Sequence, residues 1–290
     1  MASPSKPTIV LVPGAWHSPS HYTTLLTLLQ RAGYPTTSSR LPSVGSPTPL
    51  TATAAQDAAF IRDKMLLPLL DSGTDVLLVL HSYGGIGGAA AAKGLSKVER
   101  EKEGKQGGIV GLVLFAAFVA GEGDSLEQMV GGKLPDWIDT NVPSRMPSYF
   151  HILIVYSNLT KSIVEETPLT PTQEVTGVGT VPDPNTPFYG DVPAPLAASA
   201  TAEMLPQALL SFRTPSPPSA WSDSVYDGCR GYIRCIEDAA IPLVAQKAMV
   251  DHSGVEWDVK ELKSGHSPQL SMPDKVAELV IGWAKSWTGE

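Results

Sequence analysis

Residues 75–88 read Asp75-Val76-Leu77-Leu78-Val79-Leu80-His81-Ser82-Tyr83-Gly84-Gly85-Ile86-Gly87-Gly88. An apolar, β-branched run breaks at a serine and continues into a stretch rich in glycine and alanine, which predicts a strand turning at once into a helix. A serine at such a turn is forced into strained backbone geometry, with its hydroxyl clear of the sheet edge and the helix N-terminus beneath it. Gly84 and Gly85 let the turn close without clashes. Ser82 is therefore the candidate nucleophile. The glycines of Gly85-Ile86-Gly87-Gly88 also match a dinucleotide fingerprint on paper. They lie beyond the turn, however, and no strand ending in an acidic residue follows about twenty positions later. Close packing of the helix on the sheet explains them better, and no cofactor is expected.

Two further segments give this serine partners. Thr8-Ile9-Val10-Leu11-Val12 is a short apolar strand running into Pro13-Gly14-Ala15-Trp16-His17. A loop of this kind beside a serine turn can supply half of an oxyanion hole, the residue after the nucleophile supplying the other half. That assigns the amides of Ala15 and Tyr83. Near the C-terminus, Gly231 to Ile236 reads as a strand ending at Glu237-Asp238, and a strand around Val255 to Leu262 ends in Ser264-Gly265-His266-Ser267-Pro268. The order is serine, acid, histidine, with the acid and the histidine each just past a strand end. In a parallel sheet those ends share one edge, so distant residues converge there.

The remaining pattern is compatible. Strands are predicted near 8–12, 35–39, 75–80, 109–117, 230–236 and 255–262, and helices near 19–32, 52–70, 83–95, 240–250 and 273–287. In the last helix Val276, Leu279, Val280 and Trp283 recur at helical spacing, with Pro273 near its start. Such alternation predicts an α/β fold, a mostly parallel sheet with helices on both faces. Lys97 to Gly107 reads as a charged loop. The interval 121–220 breaks the alternation and is rich in proline and aromatics, including Trp137, Tyr149, Phe150, Tyr156, Phe188, Tyr189 and Phe212. Inserted between two core strands, it predicts a cap over the serine, with 1–120 and 221–290 forming the core. The pocket beneath it would draw on Gly14, Trp16, His17, His81, Phe118, Trp137 and Phe188. His81, like His151 and His252, otherwise reads as structural.

Val12-Pro13-Gly14-Ala15-Trp16-His17, His81-Ser82-Tyr83-Gly84-Gly85, Cys235-Ile236-Glu237-Asp238 with Ile241-Pro242, and Gly265-His266-Ser267-Pro268 together resemble the α/β-hydrolase superfamily. Within it they are similar to the group of plant methyl esterases and hydroxynitrile lyases with their microbial relatives. Phe115 to Ser125 and Phe188 to Pro193 are also similar to that group. The resemblance implies a triad of Ser82, His266 and Asp238, the second of the two adjacent carboxylates, with Glu237 as the fallback. His266 would take the proton of Ser82 and return it to the leaving alcohol, while Asp238 orients the imidazole. The chain departs from the pattern at Leu80, where glycine is usual and which calls for a loosely packed turn, and at Pro13, where histidine is usual.

Composition sets outer limits. The chain has 290 residues, 17% of them charged, and a formal charge of −8. That length suits one large α/β unit, and the charge disfavours nucleic acid as a partner. Gly108 to Ala120 is too short for a membrane span. The N-terminus lacks the apolar region of a signal peptide, so Asn158-Leu159-Thr160 is expected to be an idle glycosylation sequon. Cys229 and Cys235 are expected as reduced thiols of a cytoplasmic protein. His17 and His21 stand four apart without a third ligand, so no metal site is expected. The expected activity is hydrolysis of a carboxyl ester or lactone of a small, mostly apolar substrate. The alternatives are a non-hydrolytic lyase or cyclase of the same fold, or a receptor-like binding module. Relatives that cleave cyanohydrins use a lysine directly after the triad histidine and a threonine in the oxyanion loop; this chain has Ser267 and Gly14. Oligomeric state is left open.

Overall fold

The strands in chain order are β1 (Thr8–Val12), β2 (Thr36–Ser38), β3 (Val76–His81), β4 (Ile109–Phe115), β5 (Val178–Gly179), β6 (Gln207–Ala208), β7 (Arg230–Cys235) and β8 (Asp258–Leu262). This computed structural model describes residues 6–140 and 177–289. Tyr149, Phe150, His151, Tyr156 and the sequon at Asn158 lie outside the described residues. One sheet of six strands runs in the order β2-β1-β3-β4-β7-β8, every pair parallel.

Strands covered on both faces become continuous apolar runs, and β1 and β3 are buried along their whole length. Successive side chains point to opposite faces. Val10, Val12, Leu78, Leu80, Leu112 and Leu114 therefore join one buried cluster, together with Ala54, Ile61 and Ile86 from covering helices. Ile9, Leu11, Leu77, Val79, Val113 and Phe115 join the other, against Leu25, Leu29, Val276, Val280 and Trp283. Each such aliphatic side chain contributes about 1.5–3 kcal/mol when fully buried.

The helix expected over 52–70 spans Ala54–Phe60, a π-helical stretch Ile61–Leu66, and Leu67–Asp71. Its start is set by Thr53, whose hydroxyl accepts from the Gln56 amide. The widened turn precedes Pro68, which has no amide to give and crowds the preceding turn. The charged segment expected as a loop is instead helical over Lys97–Lys102. A reciprocal cap drives this: Glu99 N–H donates to the Ser96 hydroxyl, and the Glu99 carboxylate accepts from the Ser96 amide. Arg100 in that segment is buried and donates to the Gly107 carbonyl and to Asp71.

Between β4 and β7 lie the helices Leu126–Met129, Ala194–Glu203 and Leu210–Arg213, the π-helical turn Asn185–Tyr189, and the antiparallel pair β5–β6. They cap the sheet edge that carries Ser82. Trp16 of the core packs on Trp137, Phe188 and Phe212 of this insertion at ring separations of 5.8, 5.5 and 5.4 Å. No helix of the described residues is long and apolar enough to cross a membrane.

Candidate active site

Ser82 follows β3 and precedes the helix Gly84–Ala91. Its φ is 53°, a left-handed conformation that non-glycine residues rarely adopt. Neighbours hold it there, since the amides of Gly85 and Phe118 both donate to the Ser82 carbonyl, at 3.0 and 3.2 Å. A Cβ on Gly84 would lie 2.6 Å from the Pro13 carbonyl oxygen, and one on Gly85 2.4 Å from that of Phe118. Close approach of backbone thus accounts for glycine at 84 and 85. The expectation of a loosely packed turn at Leu80 is corrected: Leu80 is fully buried. Its space comes from Gly88, where a Cβ would meet Leu80 Cδ2 at 2.2 Å.

β7 and β8 end beside this turn. His266 Nε2 lies 2.9 Å from Ser82 Oγ, and His266 Nδ1 lies 2.8 Å from Asp238 Oδ2. Asp238 Oδ1 accepts from the amides of Ala240 and Ile241, each at 2.8 Å. Gln246 donates to Oδ2 at 3.3 Å and is itself locked to the Cys235 backbone at both ends. A carboxylate on Nδ1–H leaves Nε2 with its lone pair toward the serine hydroxyl. Ser82, Asp238 and His266 are all buried. The adjacent Glu237 is half-exposed and faces Lys263 at 3.7 Å.

The loop after β1 reaches the same point. Trp16 has φ 62°, and its amide donates to Gln207 Oε1 at 3.3 Å. His17 Nδ1 lies 2.6 Å from the Ala15 carbonyl oxygen, so it donates, and its Nε2 accepts from the Tyr189 hydroxyl at 2.8 Å. Burial, and secondarily His21, lower the His17 pKa to about 3, so the ring is neutral. His21 Nε2 donates to the Ala200 carbonyl at 3.0 Å, and its Nδ1 accepts from the Ser18 amide at 3.2 Å. The amides of Ala15 and Tyr83 are buried and donate no hydrogen bond among the described residues.

Trp16, Phe118, Trp137 and Phe188 line the chamber at Ser82, together with Ala15, Tyr83, Phe212, Ile241 and His266. Gly14, His17 and His81 stand outside its wall. Gly14 nonetheless abuts the serine: a Cβ there would lie 2.9 Å from Ser82 Cβ. A second cavity of about 220 Å³ also reaches His266, between Thr186, Asp191, Glu237 and Gly265. Cys229 and Cys235 are both free thiols, and burial raises the pKa of each.

Sequence reasoning overlooked Asp57, Gln246, Tyr22 and Gln207. Asp57 is fully buried, accepts from the Ser43 amide and hydroxyl at 3.0 and 2.5 Å, and takes the Tyr83 hydroxyl at 2.7 Å. Burial pushes its carboxyl pKa up, against the opposing pull of those hydrogen bonds. A charged residue between Ala54 and Ala58, on the helix's buried stripe, was the available signal.

The model of the Alpha/beta hydrolase family matches residues 9–279. The chain is 26% identical over 275 residues to the alpha/beta hydrolase nvfD of Aspergillus novofumigatus, covering 95% of each chain. Its structure is similar to that of a pyrethroid hydrolase from Sphingobium faniae, with TM-score 0.65, 21% identity and 98% and 99% of the two chains covered. It is also similar to a methylesterase from Arabidopsis, with TM-score 0.60, 17% identity and 95% and 98% covered.

Proposed function

Because the chain belongs to the alpha/beta hydrolase family, we propose that it cleaves a carboxyl ester or lactone of a small, mostly apolar molecule through an acyl-enzyme on Ser82. The observation that carries this reading is the unbroken buried series Ser82 Oγ, His266 Nε2, His266 Nδ1, Asp238 Oδ2 beneath an apolar chamber. Ser82 Oγ attacks the carbonyl carbon while His266 Nε2 takes its proton. The carbonyl π pair moves onto oxygen, toward the two free amides of Ala15 and Tyr83. Collapse breaks the ester bond, and His266 hands the proton to the departing alcohol. Water, deprotonated by the same nitrogen, then releases the acid and restores the serine. Asp238 keeps Nδ1 protonated throughout and stabilises the imidazolium.

Incubation with p-nitrophenyl butyrate should release nitrophenol, and Ser82→Ala should abolish the release. Full activity in that variant would refute the nucleophile. A serine-reactive phosphonate should add its mass at Ser82 in the wild type and fail to do so in His266→Ala.

One observation favours a second reading, a non-hydrolytic lyase or cyclase. The chamber wall is almost wholly aromatic and aliphatic, which disfavours water near the reacting carbon. Product analysis separates the two, since hydrolysis in heavy-oxygen water incorporates one label into the acid.

A further inference from the structure

The mechanism leaves the side chain preceding the nucleophile unused. His81 is fully buried at the end of β3 and stacks on Phe115 with ring centroids 4.6 Å apart. Its Nδ1 is 2.7 Å from the Tyr22 hydroxyl, and its Nε2 is 3.0 Å from the His266 carbonyl oxygen. The same tyrosine oxygen is 3.0 Å from the Gly14 amide.

Donor and acceptor chemistry fixes every hydrogen in this chain. A carbonyl only accepts, so His81 Nε2 carries the ring proton. An amide only donates, so the Tyr22 oxygen accepts from Gly14 and turns its own hydrogen to Nδ1. The polarity then runs one way, from Gly14 N–H through Tyr22 O–H to Nδ1, and from Nε2–H to the His266 carbonyl. A second proton on Nδ1 would strand the tyrosine hydrogen in a buried site.

We infer that His81, acting with Tyr22, is a positioning residue that ties the oxyanion loop (13–17) and the histidine loop (264–267) to the nucleophile turn (81–83). The inference rests on the proposed roles of Ser82 and His266. It explains why a histidine occupies a position that an aliphatic side chain could fill. The groups facing the ring are Tyr22, Phe115, His17 and His266, with His21 behind His17. Burial foremost, then the neighbouring imidazoles of His266 and His17, hold its pKa well below the ordinary value.

Ring nitrogen–proton correlation spectra of the full chain test the tautomer directly, with the His81 signal assigned in the wild type through its proximity to the ring protons of Tyr22 and Phe115. Protonated Nε2 and bare Nδ1, unchanged between about pH 5 and pH 8, is the expected result. A proton on Nδ1, or titration in that window, overturns the relay whether or not the variants fold.

Kinetics then separate positioning from mere filling. His81→Asn sets an amide oxygen near the place of Nδ1 and keeps the Tyr22 half. His81→Gln carries an amide nitrogen toward the place of Nε2 and keeps the His266 half. Both should retain more kcat than His81→Leu, and Tyr22→Phe should lower kcat about tenfold with little change in KM. Wild-type kcat in His81→Leu, or losses confined to KM, would refute the inference. A wild type with the expected tautomer but no ester cleavage supports the relay and overturns the hydrolase reading instead.

Discussion

Two buried carboxylates lie near Ser82, one reaching it through His266 and the other holding the side chain of the next residue, Tyr83, and their partners differ. Asp238, in the loop after β7, meets an imidazole that can gain and lose a proton. Asp57, on the helix Ala54–Phe60, meets only hydroxyls and an amide, none of which becomes cationic. The first can stabilise charge that appears during a reaction. The second can only hold geometry, here the ring of Tyr83, whose amide is a proposed oxyanion donor. Burial alone therefore says little about function; the partner decides.

The contrast can be broken most directly at Asp238. Asp238→Asn should lower kcat by about 10⁴ by admitting the wrong tautomer of His266. Glu237→Gln, measured in the same ester assay, should leave kcat within about twofold because its carboxylate is half in solvent. A larger loss at Glu237 would reverse the assignment of roles.

Asp57→Ala comes next. It leaves the Tyr83 and Ser43 hydroxyls buried without their acceptor, at a cost of about 1–3 kcal/mol. Thermal unfolding should show the lower Tm, and kcat should fall by about tenfold as the Tyr83 amide loosens. Unchanged kcat beside a lowered Tm would confine Asp57 to stability.

The pH dependence of stability sharpens the comparison further. The Asp57 pKa is raised on folding, so the native state binds this proton more tightly than the unfolded chain does. Its contribution is fully present below the unfolded pKa of 3.8 and is lost as pH rises through the higher folded value. The Tm advantage of wild type over Asp57→Asn should therefore shrink with rising pH across that window. His17 works in the opposite sense: with its folded pKa near 3 against 6.5, stability is lost as pH falls from 6.5 toward 3. Melting curves of wild type and His17→Gln over that range should converge as the pH is lowered.

The last comparison lies in the packing beneath the turn and touches stability alone. Gly88→Ala should cost about 1–3 kcal/mol through its clash with Leu80, and the same substitution should cost less in a Leu80→Ala background. Additive losses in unfolding free energy would show that the two side chains do not share one space.

Legibility followed the range of the interactions. The strands, the nucleophile turn and the serine–acid–histidine order announce themselves through local signals: apolar runs, small residues at a turn, polar residues at strand ends. The hydrogen bonds of Asp57, Tyr22, Gln207 and Gln246 join segments that no periodicity brings together, so their partners could be read only in three dimensions. Lys97–Lys102 is a different case. The Ser96…Glu99 spacing was a cap signal in plain view, outweighed by charge and by Gly104 and Gly107. In the cap, β5 and β6 are two residues each, too short for an alternation to register.

The placement of His266 carries a consequence for heating. The proposed general base hangs from β8, which lies at one edge of the sheet and is only partly covered, whereas Ser82 hangs from the fully buried β3. Marginal strands detach by local opening at free energies below that of global unfolding. Turnover should consequently fade at temperatures where the central strands still protect their amides from exchange, and return on cooling.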